Sequence, residues 1–180
     1  MRKISIARIR ASSEKVIAQT LTLTAVLATS ENQAQTWKST IDTPPTDWFR
    51  VGFNDSAWKS GPGGFGGRTP WNTKDIWLRQ EFNAGELTAD DRNSLVFSCF
   101  HDEDCEIYIN GVLAARAPTT TTTYVAISMG EQARRAIVPN GKNVMAVHCL
   151  QRDGGQFIDA DIYKMKISGE TQSARSMRRQ

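Results

Sequence analysis

An all-β, antiparallel β-sandwich is the fold class this sequence predicts, on three observations. Short apolar runs with period-two alternation recur along the chain at a spacing of roughly 8–12 residues. Turn residues punctuate them, and many of the thirteen Gly are clustered. Only Glu131–Ile137 has the makings of a short helix, with Leu87–Arg92 reading as a turn. At 180 residues, 39% hydrophobic and 23% charged, the chain suits one ordinary domain plus tails and excludes wholesale disorder. No stretch approaches the ~20 apolar residues of a membrane-spanning helix.

The elements follow in order. Residues 1–35 stand apart: Arg2, Lys3, Arg8 and Arg10 form a cationic start, Val16–Ala28 is weakly apolar, and Ala28-Thr29-Ser30 is a run of small residues. That order reads as a secretory signal, placing the protein outside the cell or in the periplasm. A linker or stray strand is the other reading, in which case a cytoplasmic location stands, because Thr20–Thr24 alternates with period two. The folded unit is expected at residues 36–169, with 170–180 a disordered basic tail.

Residues 37–75 carry Trp37, Trp48, Trp58 and Trp71 among turn residues, including Pro44-Pro45 and Gly61-Pro62-Gly63-Gly64-Phe65-Gly66-Gly67. No strand leads into this glycine-rich stretch, no helix follows it and no Lys-Ser/Thr closes it. It is therefore expected to wrap aromatics onto the sandwich and not to cradle phosphate. Residues 76–82 and 95–100 read as strands. Residues 105–110 alternate cleanly, with Cys105, Ile107 and Ile109 on one side and Glu106, Tyr108 and Asn110 on the other. Asn110-Gly111 marks a tight hairpin turn, and 112–115 returns. Strands at 124–128, 144–150 and 157–167 complete a set of seven or eight.

The net charge of +3 lies at the two ends. Residues 1–35 hold five Lys/Arg against two Asp/Glu, 170–180 hold three against one, and 36–169 hold 14 against 16. A phosphate-backbone binder concentrates cations on its folded face, so nucleic acid is not an expected partner. Cys99, Cys105 and Cys149 are too few and too scattered for a disulfide scaffold or zinc site and are expected to be buried thiols.

The spacing of the motifs then supplies a resemblance. The series Trp48…Phe53-x-Asp55-x-x-Trp58-x-x-Gly61, then Phe65-Gly66, then Ile76-Trp77-Leu78-Arg79-x-x-Phe82 resembles the jelly-roll, galactose-binding-like domain of β-galactosidase-type (family 2) glycoside hydrolases and related bacterial secreted modules. Asp102-x-Asp104-x-x-Ile107-Tyr108-Ile109-Asn110-Gly111 is similar to that group's aspartate–strand–Asn-Gly signature. Asn140-Gly141-Lys142-Asn143-Val144-x-Ala146-Val147 and Gly154-Gly155-Gln156-Phe157-Ile158-Asp159 resemble its last two strands. The likeness covers residues 37–163. It implies an accessory module, freestanding or part of a longer enzyme, because those enzymes keep their catalytic carboxylates in a separate α/β barrel.

Chemistry in the residues points the same way. Asp102, Glu103 and Asp104 on one strand and Asp159 and Asp161 on another are carboxylates of the kind glycoside cleavage needs in pairs. At strand entrances they more commonly hold loop N–H groups or a structural Ca²⁺, which stays open here; no cofactor is otherwise implied. A His101–Asp102 general base with Ser98 as nucleophile lacks the sharp turn that exposes a hydrolase serine. Sugars present apolar faces and a rim of hydroxyls, so their sites combine flat rings with carboxylates, amides and guanidinium groups. The candidate sugar site is therefore Trp71, the Trp least readily placed in a core, with Asp102, Asp104, His148, Gln156 and Asp159 at one end of the sandwich. Structural roles are expected for Trp48, Asp55, Trp58, Trp77, Arg79, Asn110 and Gly111, with Arg79 paired to a buried carboxylate such as Asp55 or Asp159. The reading is a non-catalytic module that binds carbohydrate weakly; the alternative is a β-sandwich that packs on a neighbouring domain of a larger enzyme.

Overall fold

The computed structural model of the chain describes residues 2–11, 15–28, 30 and 35–173. It is an all-β sandwich of two antiparallel sheets, the class that the strand spacing predicts. In chain order the described elements are β1 (Arg2–Ala11), β2 (Lys15–Leu27), β3 (Thr36–Thr40), β4 (Lys59–Pro62), β5 (Asp75–Asn83), α1 (Ala89–Asn93), β6 (Leu95–Asp102), β7 (Asp104–Ile109), β8 (Val112–Ala117), β9 (Val125–Ser128), α2 (Glu131–Ala136), β10 (Lys142–Leu150) and β11 (Phe157–Ser173). One sheet runs β1-β2-β11-β6-β9 and the other β4-β3-β5-β10-β7-β8.

Alternation decides which side chains meet between the sheets. Ile76 and Leu78 of β5, Met145, Val147 and Cys149 of β10, and Cys105, Ile107 and Ile109 of β7 are buried against Leu95, Phe97 and Cys99 of β6 and Ile158, Ala160 and Ile162 of β11. A second, smaller cluster sits on the outer face of the six-stranded sheet, where Trp48, Trp77, Val144 and Ala146 pack with Phe49, Phe53, Trp58 and Tyr108. Residues 42–58 therefore wrap aromatics onto the sandwich. The strands β3 and β4 flanking this wrap belong to the sheet itself, where sequence reading expected only loop.

The β7–β8 hairpin turns on Asn110 (φ 49°) and Gly111 (φ 88°). That pair of positive angles is what an Asn-Gly turn supplies at low steric cost. The Asn110 side chain also donates to Asn143 Oδ1 (2.8 Å) and accepts from the Val144 amide (2.8 Å), tying the turn to β10. The segment expected as a turn near Leu87–Arg92 forms the short helix α1. Thr88 accepts from the Asp91 amide while the Asp91 carboxylate accepts from the Thr88 amide, a reciprocal cap. Lys166 beside Asp91, joined by the Thr88 amide, holds this carboxyl down to about 2.

The strand ladder extends beyond 36–169 at both ends. β2 pairs with β11 from Leu27 opposite Ile162 to Lys15 opposite Ser173. The Thr20–Thr24 alternation thus belongs to a strand of this sheet. Thr29, inside the Ala28–Ser30 run, and residues 174–180 of the basic tail lie outside the described residues.

Candidate functional site

Five of the six candidate sugar residues come to one end of the sandwich, joined through the segments 70–75, 102–104 and 151–156. Gln156 Nε2 donates to the Thr73 carbonyl (3.2 Å), Trp71 Nε1 donates to Thr73 Oγ1 (3.1 Å), and that hydroxyl donates to the Asp75 carbonyl (3.0 Å). Asp75 Oδ1 in turn accepts from His148 Nε2 at 2.8 Å, which fixes the proton on Nε2. The imidazole stacks on Trp77 with centroids 4.8 Å apart and planes 7° from parallel. Asp104 pairs with the Arg152 guanidinium, and Glu103 accepts from the Arg152 amide. Gln151 Nε2 bridges the carbonyls of Asp153 (2.7 Å) and Gly155 (2.6 Å), bringing that loop in front of the Asp102 carboxylate.

Two placements differ from expectation. Trp71 is only 5% exposed and belongs to the core cluster with Phe65 and Ile76. The glycine-rich loop folds back on itself, with Phe65 bridging both Thr69 and Ile158, and this return draws Pro70-Trp71 inward. Asp159 lies apart from the other candidates, buried where β11 pairs with Phe100 of β6, and its Oδ2 accepts from the Tyr124 hydroxyl at 2.6 Å. His101, also buried, donates from Nδ1 to the Glu103 carbonyl (2.6 Å) and not to the Asp102 carboxylate.

Burial pushes the Asp159 carboxyl above its ordinary value of 3.8, against the opposing pull of the Tyr124 hydroxyl, Ser30 and the Arg68 guanidinium. The folded state then holds this proton more tightly than the unfolded one, so the contribution to stability is greatest in acid. It declines as pH rises from 3.8 through the raised value. Asp159→Asn, which keeps an acceptor for Tyr124, is expected to remove that decline. The melting temperature of the variant should gain on the parent as pH rises above 3.8; parallel curves in thermal melts would refute it.

Beside this end opens a cleft of about 390 Å³. The end of β3 (Ser39, Thr40) and Asp42 form one wall, Trp58–Gly61 another, and Thr69–Asn72 the third, over a floor of Phe65 and Ile76. The half-buried Trp58 ring meets Phe53 edge to face at 5.7 Å. Sequence reading gave Trp58 a structural part and did not single out Thr40, Asp42 or Asn72. These residues come from three separate stretches of chain, and the only available signal was the density of Trp among polar turn residues.

Arg79 is buried on the opposite side of β5 from Ile76 and Leu78. Its Nε donates to Asp55 Oδ2 at 2.8 Å, its Nη1 to the carbonyls of Trp48 and Arg50 (the latter 3.1 Å), and its guanidinium lies 5.3 Å from the Phe53 ring centre. Cys99, Cys105 and Cys149 are buried free thiols. A hydrogen bond with Cys99, together with burial, raises the Cys105 thiol; burial raises Cys149. Among the described residues no group of three His, Cys, Asp or Glu is placed to hold a metal ion, and no helix is long and apolar enough to cross a membrane.

No family model matches the chain, and no curated protein does. Solved structures do. A family 2 glycosyl hydrolase from Bacteroides cellulosilyticus superposes with a TM-score of 0.50 at 13% identity, over 72% of this chain and 20% of that one. A β-glucuronidase from Ruminococcus gnavus, solved with uronic isofagomine, gives 0.51 at 12% identity, over 93% of this chain and 35% of that one. The chain thus spans between a fifth and about a third of the length of these structures. What it shares with a family 2 glycosyl hydrolase and with a β-glucuronidase is the β-sandwich fold of one part of each.

Proposed function

We propose that this chain is a non-catalytic carbohydrate-binding module of glycoside hydrolase type, accessory to the other domains of a larger enzyme. The observation that carries this reading is the cleft between Trp58 and Trp71. The half-buried Trp58 offers an apolar ring to the C–H face of a pyranose, while Ser39, Thr40, Asp42, Lys59 and Asn72 offer donors and acceptors to its hydroxyls. The volume falls at the small end of ligand pockets, fitting a sugar unit and not a large cofactor. The carboxylates of Asp75, Glu103 and Asp104 nearby are each engaged by a partner inside the domain, an arrangement suited to holding loops in place. The short span relative to the two similar glycosidases supports the accessory role.

Binding is expected to be weak, because an open cleft buries little ligand and each hydroxyl exchanges a water bond for a protein bond. Titration with galactosides, glucuronides and plant polysaccharides, followed by Trp fluorescence, should show a saturable change for at least one class. Trp58→Ala should weaken that affinity by about 5–10-fold, the value of one ring contact. Circular dichroism melts would confirm that the variant is folded. No response across the panel, or a Trp58→Ala variant that binds like the parent, would overturn the assignment.

A further inference from the structure

The cleft does not end at its own rim. Thr40, one of its wall residues, also begins a line of side chains that crosses the outer face of the six-stranded sheet. Strand register sets Thr40 opposite Trp77, Trp77 opposite His148, His148 opposite Glu106, and Glu106 opposite Arg116. Four strand-to-strand steps carry this row roughly 19 Å. The wrap of residues 42–58 covers the other half of the face, over Arg79, Val144 and Ala146. Away from the wrap the row opens to solvent, with side-chain exposures of 25% for His148, 32% for Glu106 and 65% for Arg116.

His148 and Glu106 are held in place while keeping hydrogen-bonding capacity. His148 is fixed by Asp75 through Nε2 and by the Trp77 stack, and among the described residues its Nδ1 has no partner. Glu106 accepts from the Tyr108 hydroxyl (2.7 Å) and from Arg116 (3.1 Å), two of the roughly four lone-pair positions a carboxylate offers. Burial, helped by Glu106, pushes Tyr108 up to about 12, so it remains the donor that orients this carboxylate. Along the row Arg116 is opposed by Glu106, and Asp75 accepts the hydrogen bond from His148 Nε2. From His148 to Arg116 the row offers a polyanion no unopposed cation and an apolar partner little area, and in the cleft the cation Lys59 shares the lining with the anion Asp42. Such a surface matches a neutral, polyhydroxylated chain.

Resting on the reading of the cleft as a sugar site, we propose that the ligand is a linear, uncharged oligosaccharide. It lies across the strands from the cleft at Thr40 to Arg116, with one unit in the cleft and further units along His148 and Glu106. Preorganised polar groups lower the ordering cost of each added contact, so affinity should grow with chain length until the row is filled.

The test uses the full chain and three probe series, galacto-, gluco- and xylo-oligosaccharides of one to five units, with trigalacturonic acid as the charged comparison. Calorimetric titration should show Kd falling by about tenfold or more between one and four units in at least one series, worth one or two added hydrogen bonds. Trigalacturonic acid should bind more weakly than the neutral trimer of that series. The double variant Glu106→Gln with Arg116→Gln should flatten the length dependence, while a melting temperature within a few degrees of the parent would show that the fold persists. Binding that does not depend on length, tighter binding of the charged trimer, or an unchanged length dependence in the double variant overturns this inference and leaves the cleft reading standing. No binding by any member of the three series overturns this inference, and silence across the galactoside, glucuronide and polysaccharide panel as well overturns both.

Discussion

Arg79→Met is expected to lower the unfolding free energy by about 3–5 kcal/mol, the range seen when one partner of a buried ion pair is deleted. Arg79 is 1% exposed, and the methionine fills much of its volume, so the loss comes from its bonds more than from a void. Without the guanidinium, Asp55 loses its 2.8 Å partner, and the carbonyls of Trp48 and Arg50 lose their shared donor. All three belong to the 42–58 wrap, which would lose its tether to β5. Urea denaturation should show the destabilisation, and limited proteolysis should cut within 42–58. Pairing Arg79→Met with Asp55→Asn should restore part of the loss, since no unpaired charge then remains. Arg79→Lys should fall between, because an ammonium lacks the fork that serves a carboxylate and two carbonyls together. A loss below about 1 kcal/mol for Arg79→Met would show the wrap to be held by its aromatic contacts alone.

Gly66→Ala is expected to cost about 2–4 kcal/mol and to abolish with it the sugar binding proposed for the cleft. Gly66 has φ 87°, a left-handed conformation that an alanine adopts at a cost. Its added Cβ would press into the Gln156 carbonyl, with the carbonyl carbon at 2.8 Å and Phe157 Cα at 3.2 Å. These are backbone atoms at the start of β11, so no side chain can rotate aside. Relief would have to come from parting Phe65 from Ile158, which are joined by two 3.0 Å backbone bonds. That movement carries the Thr69–Asn72 wall away from the cleft. Gly52→Ala is the control: open space surrounds its Cβ, and the change should alter stability by less than about 1 kcal/mol. Equal melting temperatures for the two variants would mean that the loop yields freely.

Local pattern made much of the framework legible. The buried and half-buried positions of 104–109 alternate one by one, and that alternation alone assigns Cys105, Ile107 and Ile109 to the interior. It likewise set Trp77 and Arg79 against Ile76 and Leu78. The two strands hidden in the front third failed for opposite reasons. Thr36–Thr40 is short and its inward residues, Trp37 and Ser39, differ in character; Lys59–Pro62 ends in Gly-Pro, which reads as a turn. Thr88 followed three residues later by Asp91 was a readable cap signal that composition hid. Placement of Trp71 depended on a loop return sealed by a contact between Phe65 and Ile158, 93 positions apart, and the Gln156–Thr73 bond spans 83. No periodicity encodes such meetings. The cleft shares that origin, since its three walls meet only after the sheets have formed.

The position of β10 has a consequence for how this chain can change. In a sandwich strand the outward residues ordinarily tolerate wide replacement, because water accepts almost anything. β10 lies between β5 and β7, faces the opposite sheet on one side and is roofed near its start by the aromatic wrap on the other, so Asn143 through Val147 are all fully enclosed. Mutational latitude is therefore withdrawn from five consecutive positions, and diversification of this chain is left to its rims and loops.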